Sequence, residues 1–116
     1  MMKSTLRRGL IGVAGALAVY LLVGLLFAWM IGLVNRLQGT PFFVQQHSVD
    51  SSSAVYYSFT VMTTTGFGDL TAATSVGRAL AVLEMLLGQI YVVVVIGLLV
   101  GNVGSRARSA EKRGAD

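Results

Sequence analysis

The sequence predicts an all-α membrane protein with two transmembrane helices and a short re-entrant helix between them. Its composition is too apolar for a soluble domain, with 54% hydrophobic residues, 12% charged residues and a mean hydropathy of +0.72. Two apolar runs are each long enough to cross a hydrocarbon core of about 30 Å. The segment that joins them ends in a glycine-rich stretch and is too short to cross the membrane itself.

The basic residues lie at the outer ends of the two apolar runs. At 116 residues the chain has room for one domain, and its net charge of +4 would otherwise suggest a nucleic-acid partner. Seven of the nine lysines and arginines instead flank the runs, which predicts a lipid bilayer as partner, no nucleic acid, and both termini in the cytoplasm of a multi-pass cell-membrane protein. These seven are Lys3, Arg7, Arg8, Arg106, Arg108, Lys112 and Arg113.

The first apolar run, residues 9–34, follows a basic tail of residues 1–8 and predicts an outer transmembrane helix. Its 26 residues carry no charge and would form a helix of about 39 Å. A cleaved signal peptide is the alternative, because basic residues precede the run. The run is much longer than the hydrophobic region of a signal peptide, about 7–15 residues, which favours a transmembrane helix.

Residues 35–52 are polar and predict an extracellular turret, with a turn at Pro41. Serines at 51–53, preceded by Asp50, are suitable caps for a helix over residues 53–64. Such a helix is about 18 Å long, roughly half a membrane. Irregular backbone at that depth is tolerated only where protein buries it or where it lines a watery path. A helix in a soluble loop is the alternative, and the apolar runs on both sides disfavour it.

The stretch from residue 63 to residue 69 reads Thr-Thr-Thr-Gly-Phe-Gly-Asp. Gly66 and Gly68 can adopt left-handed backbone conformations without steric penalty. A backbone that alternates in handedness can point successive carbonyl oxygens in one direction. A ring of such oxygens can replace the hydration shell of a cation.

The second apolar run predicts an inner transmembrane helix over residues 76–104, interrupted by Arg78, Glu84 and Gln89. Residues 105–116 predict an exposed cytoplasmic tail that is partly disordered at its tip. Neither run carries arginine at every third residue, so no voltage-sensor helix is expected. A regulatory domain or subunit, where the protein uses one, is expected outside this chain.

Residues 64–68, followed by Asp69, resemble the Thr-Val-Gly-Tyr-Gly selectivity filter of tetrameric potassium channels, and the resemblance extends over roughly residues 9–104. We call residues 64–69 the filter segment. The resemblance implies a homotetrameric pore that conducts K+, with K+ as the permeant ligand and no other cofactor. It assigns K+ coordination to the carbonyls of Thr64, Thr65, Gly66 and Phe67 and to the Thr64 hydroxyl. Gly68 would turn the chain outward, and Asp69 would lie at the outer mouth.

The resemblance also implies a set of residues that support the filter segment. Thr65 stands where the family has valine, and its hydroxyl needs a partner when buried, for which Thr60 or Glu84 could serve. Phe67 stands where the family has tyrosine and lacks the hydroxyl that could brace the filter. The expected supporting residues are Tyr56, Tyr57, Thr60, Thr63 and Glu84.

Two residues of the inner helix have two interpretations each. A carboxyl group within a transmembrane helix has a high free-energy cost and therefore indicates a function. Glu84 either bonds the pore helix behind the filter or lies in the water-filled cavity. Gly88 aligns with the family's gating hinge, although a glycine also permits close helix packing.

The leading functional hypothesis is a potassium-selective channel pore. A weakly selective monovalent cation channel and a non-conducting subunit of a larger assembly are the alternatives. An enzyme is not expected, because the sequence contains no cysteine, no phosphate-binding loop and a single histidine, His47.

Overall fold

The computed structural model describes residues 2–115, and for Met2, Val103 and Arg106 it describes the backbone alone. Three helices follow one another: α1 over Met2–Gln38, α2 over Ser51–Met62 and α3 over Ser75–Ala115. Residues 2–115 contain no strand, only an isolated bridge between Phe43 and Ala72. Helices α1 and α3 are both long and apolar enough to cross a membrane, so the predicted fold class is confirmed.

Helix α1 is longer than the predicted outer helix at both ends. It begins at Met2 rather than at residue 9, so residues 2–8 of the predicted tail are helical. Lysine and arginine are favourable helix formers, which explains why the basic segment continues the helix. The helix ends at Gln38 because Gly39 adopts a left-handed conformation, with φ of +68°, as glycines that terminate helices commonly do.

Helix α2 begins and ends two residues earlier than the predicted range of 53–64. Its N-cap is Asp50, in an extended conformation with φ of −88° and ψ of 162°, rather than one of the serines. The helix comprises 12 residues and rises about 18 Å. Its length therefore agrees with a segment that cannot cross a bilayer alone.

Helix α3 continues beyond the predicted end of the inner helix at residue 104. Its 41 residues span about 62 Å and include nearly all of the predicted tail. Residues 105–115 are helical rather than disordered, because arginine, alanine, glutamate and lysine all favour a helix. Residue 116 lies outside the described residues.

The core gathers at the end of the molecule that carries the loops, where an aromatic cluster joins the loop between α1 and α2 to α2 itself. The rings of Phe42, Phe43 and Tyr57 meet edge to face, with centroids 5.0–5.9 Å apart. Ile31 of α1 and Ala81 of α3 pack into the same cluster. The loop was predicted as a polar turret, and its two buried phenylalanines were not recognised as its anchor.

The chain that returns from the filter segment to α3 pairs with this loop. Ala73 donates a backbone hydrogen bond of 2.8 Å to Phe42, and Val44 donates one of 3.0 Å to Thr71. The side chain of Gln45 makes two further hydrogen bonds to Thr71, of 2.8 and 2.9 Å. Both ends of the filter segment are therefore held: α2 precedes it, and the loop fixes the chain that follows.

Candidate functional site

The backbone of the filter segment alternates in handedness. Positive φ angles occur at every second residue, with +58° at Thr64, +55° at Gly66 and +81° at Gly68. The left-handed conformation predicted for the two glycines is confirmed. Thr64 was not predicted to share it, because residues with a β-carbon rarely adopt this conformation.

Thr64 adopts the left-handed conformation because it occupies the position after the C-cap of α2. Thr65 donates a backbone hydrogen bond of 2.9 Å to Thr60, and Thr64 donates one of 3.0 Å to Val61. These two bonds form a Schellman motif, which normally has glycine where Thr64 stands. Gly66 also donates to the Thr60 carbonyl, at 3.1 Å. The filter segment therefore hangs from the last turn of α2, and Thr60 supports it through its main chain.

The three consecutive threonines form a local network of hydroxyl groups. The Thr63 hydroxyl donates a hydrogen bond of 2.6 Å to the carbonyl of Phe59 and lies 2.8 Å from the Thr65 hydroxyl. The Thr64 hydroxyl bonds the carbonyl of Thr63 at 2.6 Å. The partner of the Thr65 side chain is thus Thr63, and the prediction of Thr60 or Glu84 is wrong. The Thr60 hydroxyl instead donates to the carbonyl of Tyr57, and Glu84 is hydrogen-bonded to Ser58.

The two tyrosines of α2 face different surroundings. The ring of Tyr56 stacks on that of Phe67, with centroids 6.3 Å apart and planes 7° from parallel. The hydroxyl of Tyr56 is hydrogen-bonded to the carboxylate of Asp69, which raises the pKa of Tyr56 above its ordinary value. Tyr57 instead lies in the core against Phe42 and Phe43. Tyr56 is therefore the tyrosine that contacts the filter segment directly.

Glu84 lies in a buried polar contact that joins all three helices. Its side chain is 1% exposed and is hydrogen-bonded to the hydroxyl of Ser58 in α2. The same hydroxyl lies 2.6 Å from the backbone carbonyl of Gly24 in α1. This placement agrees with a role behind the filter segment and not with a place in an open cavity. Ser58 was missed by sequence reasoning, although a carboxyl group within a span requires a partner at its own depth.

Comparison with known protein families identifies the class of protein. A family model described as an ion channel matches residues 15–103. The chain belongs to this ion channel family. The matched range covers α2, the filter segment and most of both long helices. A search of curated proteins returns no significant match.

Gly88 marks a close approach of α3 to α2 in this channel. A β-carbon at Gly88 would overlap the backbone carbonyl of Met62 and lie 2.7 Å from the Met62 Cγ. The geometry agrees with close packing at this glycine, and the gating hinge stays a prediction. Gly24 is similar, because a β-carbon there would lie 2.6 Å from the ring of Phe59. Both long helices therefore approach α2 at glycines.

Proposed function

We propose that this ion channel is a potassium-selective pore, assembled from four copies of the chain, that conducts K+ passively. The observation that supports it most directly is the alternation of positive φ angles at Thr64, Gly66 and Gly68. A filter built from main-chain oxygens needs such a backbone, because a regular helix directs its carbonyls along its own axis and a strand alternates them from side to side. The sequence resemblance of residues 64–68 to the potassium filter indicates that the permeant ion is K+.

In this proposal each K+ exchanges water oxygens for the carbonyls of Thr64, Thr65, Gly66 and Phe67, and for the Thr64 hydroxyl at the innermost site. Ions in single file repel one another, so binding stays weak enough for exit. Two helices per chain cannot enclose a pore, and a closed ring of identical chains is the usual solution. The number four comes from the family resemblance.

The surroundings of the filter segment fit its proposed place in the ring. Helix α2 ends at Met62, so its C-terminal partial negative charge would favour a cation just below the filter. The basic residues at the ends of α1 and α3 would keep both termini in the cytoplasm and Asp69 at the outer mouth of a channel in the cell membrane. We expect no enzymatic activity and no cofactor other than the permeant ion.

Ion selectivity is tested by reversal potentials of the purified channel in planar bilayers, with K+ on one side and Na+ on the other. A potassium-selective pore gives a reversal potential displaced far toward the value expected for K+ alone. A reversal potential near zero contradicts the proposal and favours the weakly selective alternative. Thr65 and Phe67, which depart from the usual filter, are the residues that would explain that result.

The assembly is tested separately by chemical crosslinking of the channel in liposomes. We expect a ladder of products that ends at four chains. A ladder that ends at two or three contradicts the tetramer. A tetramer that passes no current under any ionic gradient favours the non-conducting subunit instead.

A further inference from the structure

The hydroxyl of Ser58 has two close oxygen partners and only one hydrogen. Its Oγ lies 2.6 Å from the carbonyl oxygen of Gly24 and is hydrogen-bonded to Oε1 of Glu84. Ser58 is 0% exposed and Glu84 is 1% exposed, so both side chains are closed off from bulk water. The three residues belong to α2, α1 and α3 respectively, and the contact lies where the three helices meet.

Counting hydrogens assigns a protonation state to Glu84. A backbone carbonyl can only accept a hydrogen bond, so Ser58 must donate its single hydrogen to Gly24. The contact between Ser58 and Glu84 then needs a hydrogen from the carboxyl group. If Glu84 were ionised, Ser58 could donate its hydrogen either to Gly24 or to Glu84, but not to both. The two oxygens of the other contact would then lie close together without a hydrogen between them and would repel each other.

We propose that Glu84 is held in its protonated form, donating a hydrogen bond to Ser58, and that its ionisation as the pH rises uncouples α3 from α2 and stops conduction. The structural part of this inference stands alone, and its consequence for conduction rests on the proposed function. Glu84 is a positioning residue here, because it acts on the filter segment through α2.

The groups around Glu84 offer nothing that would stabilise a negative charge. From α1 the titratable group that faces it is Tyr20, and from α2 it is Tyr57. Both are neutral phenols, which carry no positive charge to pair with a carboxylate. Among the described residues no lysine or arginine interacts with this carboxyl group. An isolated charge at this depth is unfavourable, so the neutral acid is the stable form.

The direction of the pH effect follows from the same contact. While Glu84 is protonated, the chain of hydrogen bonds from Glu84 to Ser58 to Gly24 is complete and stabilises the three-helix junction. As the pH rises through its titration, Ser58 must turn its hydrogen toward the carboxylate, and the Gly24 carbonyl loses its hydrogen bond from α2. The stabilising contribution is therefore present at low pH and lost on the alkaline side. Because α2 carries the filter segment, its displacement would disturb the ion pathway.

The first test compares K+ flux from liposomes over a range of pH for wild type, Glu84→Gln and Glu111→Gln. Wild-type flux should fall by at least tenfold for each pH unit beyond the midpoint, because each of the four chains would lose one proton. Glutamine at position 84 keeps a donor for Ser58 and does not titrate, so the flux of that variant should stay flat relative to its own value at low pH. Glu111 is exposed near the end of α3, and its variant should keep the wild-type profile. An alkaline loss that persists in Glu84→Gln overturns the proposal.

The second test does not depend on conduction. The infrared spectrum of the wild-type channel at mildly acidic pH should contain the carbonyl stretching band of a protonated carboxylic acid, absent from Glu84→Gln and present in Glu111→Gln. Ser58→Ala removes the acceptor and should shift this band rather than abolish it. Absence of the band from folded wild-type channel overturns the protonation. Presence of the band without potassium selectivity supports the protonation and contradicts the proposed function alone.

Discussion

Gly88 of α3 lies directly against the carbonyl of Met62, the last residue of α2. The side chain of Met62 is 1% exposed, so the contact lies within the packed core of the chain. No β-carbon fits between the two backbones at this point. Helix α3 therefore contacts the C-terminal end of α2, where the filter segment begins, and a shift of one helix must move the other.

Replacing Gly88 by alanine should force these two helices apart. We expect Gly88→Ala to lower the free energy of unfolding by about 1–3 kcal/mol, as overpacked cores do. Thermal unfolding of the purified channel measures this. Gly104→Ala is the matched control on the same helix, because its β-carbon meets nothing within 4 Å. Equal stability of the two variants would contradict the close approach.

The sequence predicts the features of this channel that depend on local properties. The length and hydropathy of an apolar run decide whether it can span a membrane, and both spans are found. A glycine's freedom at positive φ is also local, which is why Gly66 and Gly68 were predicted correctly. The predicted helices are shorter than α1 and α3, because they were bounded by the apolar runs. The polar segments beyond these runs also contain residues that favour a helix, so the helices continue into them.

The features that were missed depend on which residues the fold brings together. Ser58 meets Glu84 only because α2 and α3 cross at that depth. Phe42 and Phe43 lie in a loop of otherwise polar character, and their burial follows from the packing of Tyr57. The left-handed Thr64 follows from how α2 ends, at Met62 rather than at the predicted residue 64. None of these can be derived from periodicity.

Gly66→Ala should abolish conduction, because alanine disfavours the φ of +55° found there by about 1–2 kcal/mol. Space is not the reason, since a β-carbon at Gly66 would meet nothing within 4 Å of its own chain. Single-channel recording in planar bilayers measures the outcome. The backbone conformation, rather than the side-chain volume, is what the variant changes.

The control for this experiment is Gly39→Ala. Gly39 has a similar φ of +68° and is equally uncrowded, but it lies at the end of α1 rather than in the filter segment. The two variants should therefore lose similar stability, and only Gly66→Ala should lose current. Normal K+ current through Gly66→Ala would count against main-chain coordination of the ion.

Thr64→Gly should separate stability from selectivity. Glycine relieves about 1–2 kcal/mol of left-handed strain in the folded chain. It also raises the entropic cost of folding by about 0.5–1 kcal/mol, so the free energy of unfolding should rise by roughly 0.5 kcal/mol. It also removes the hydroxyl proposed for the innermost ion site, so discrimination between K+ and Na+ should fall. Thr63→Gly is the contrast, because Thr63 has an ordinary φ of −83° and loses its bond to Phe59. A less stable Thr64→Gly would show that the threonine is not strained.

Tyr56 should stabilise the conducting form of the filter segment through its hydroxyl as well as through its ring. Tyr56→Phe keeps the stacking on Phe67 but removes the hydrogen bond to Asp69. We expect current to decay faster during sustained conduction, and Asp69→Ala to have the same effect. Because both variants break one interaction, the double variant should decay no faster than either single variant. The decay rate of macroscopic current in bilayers measures this. Additive effects would show that Tyr56 and Asp69 act on the filter segment independently.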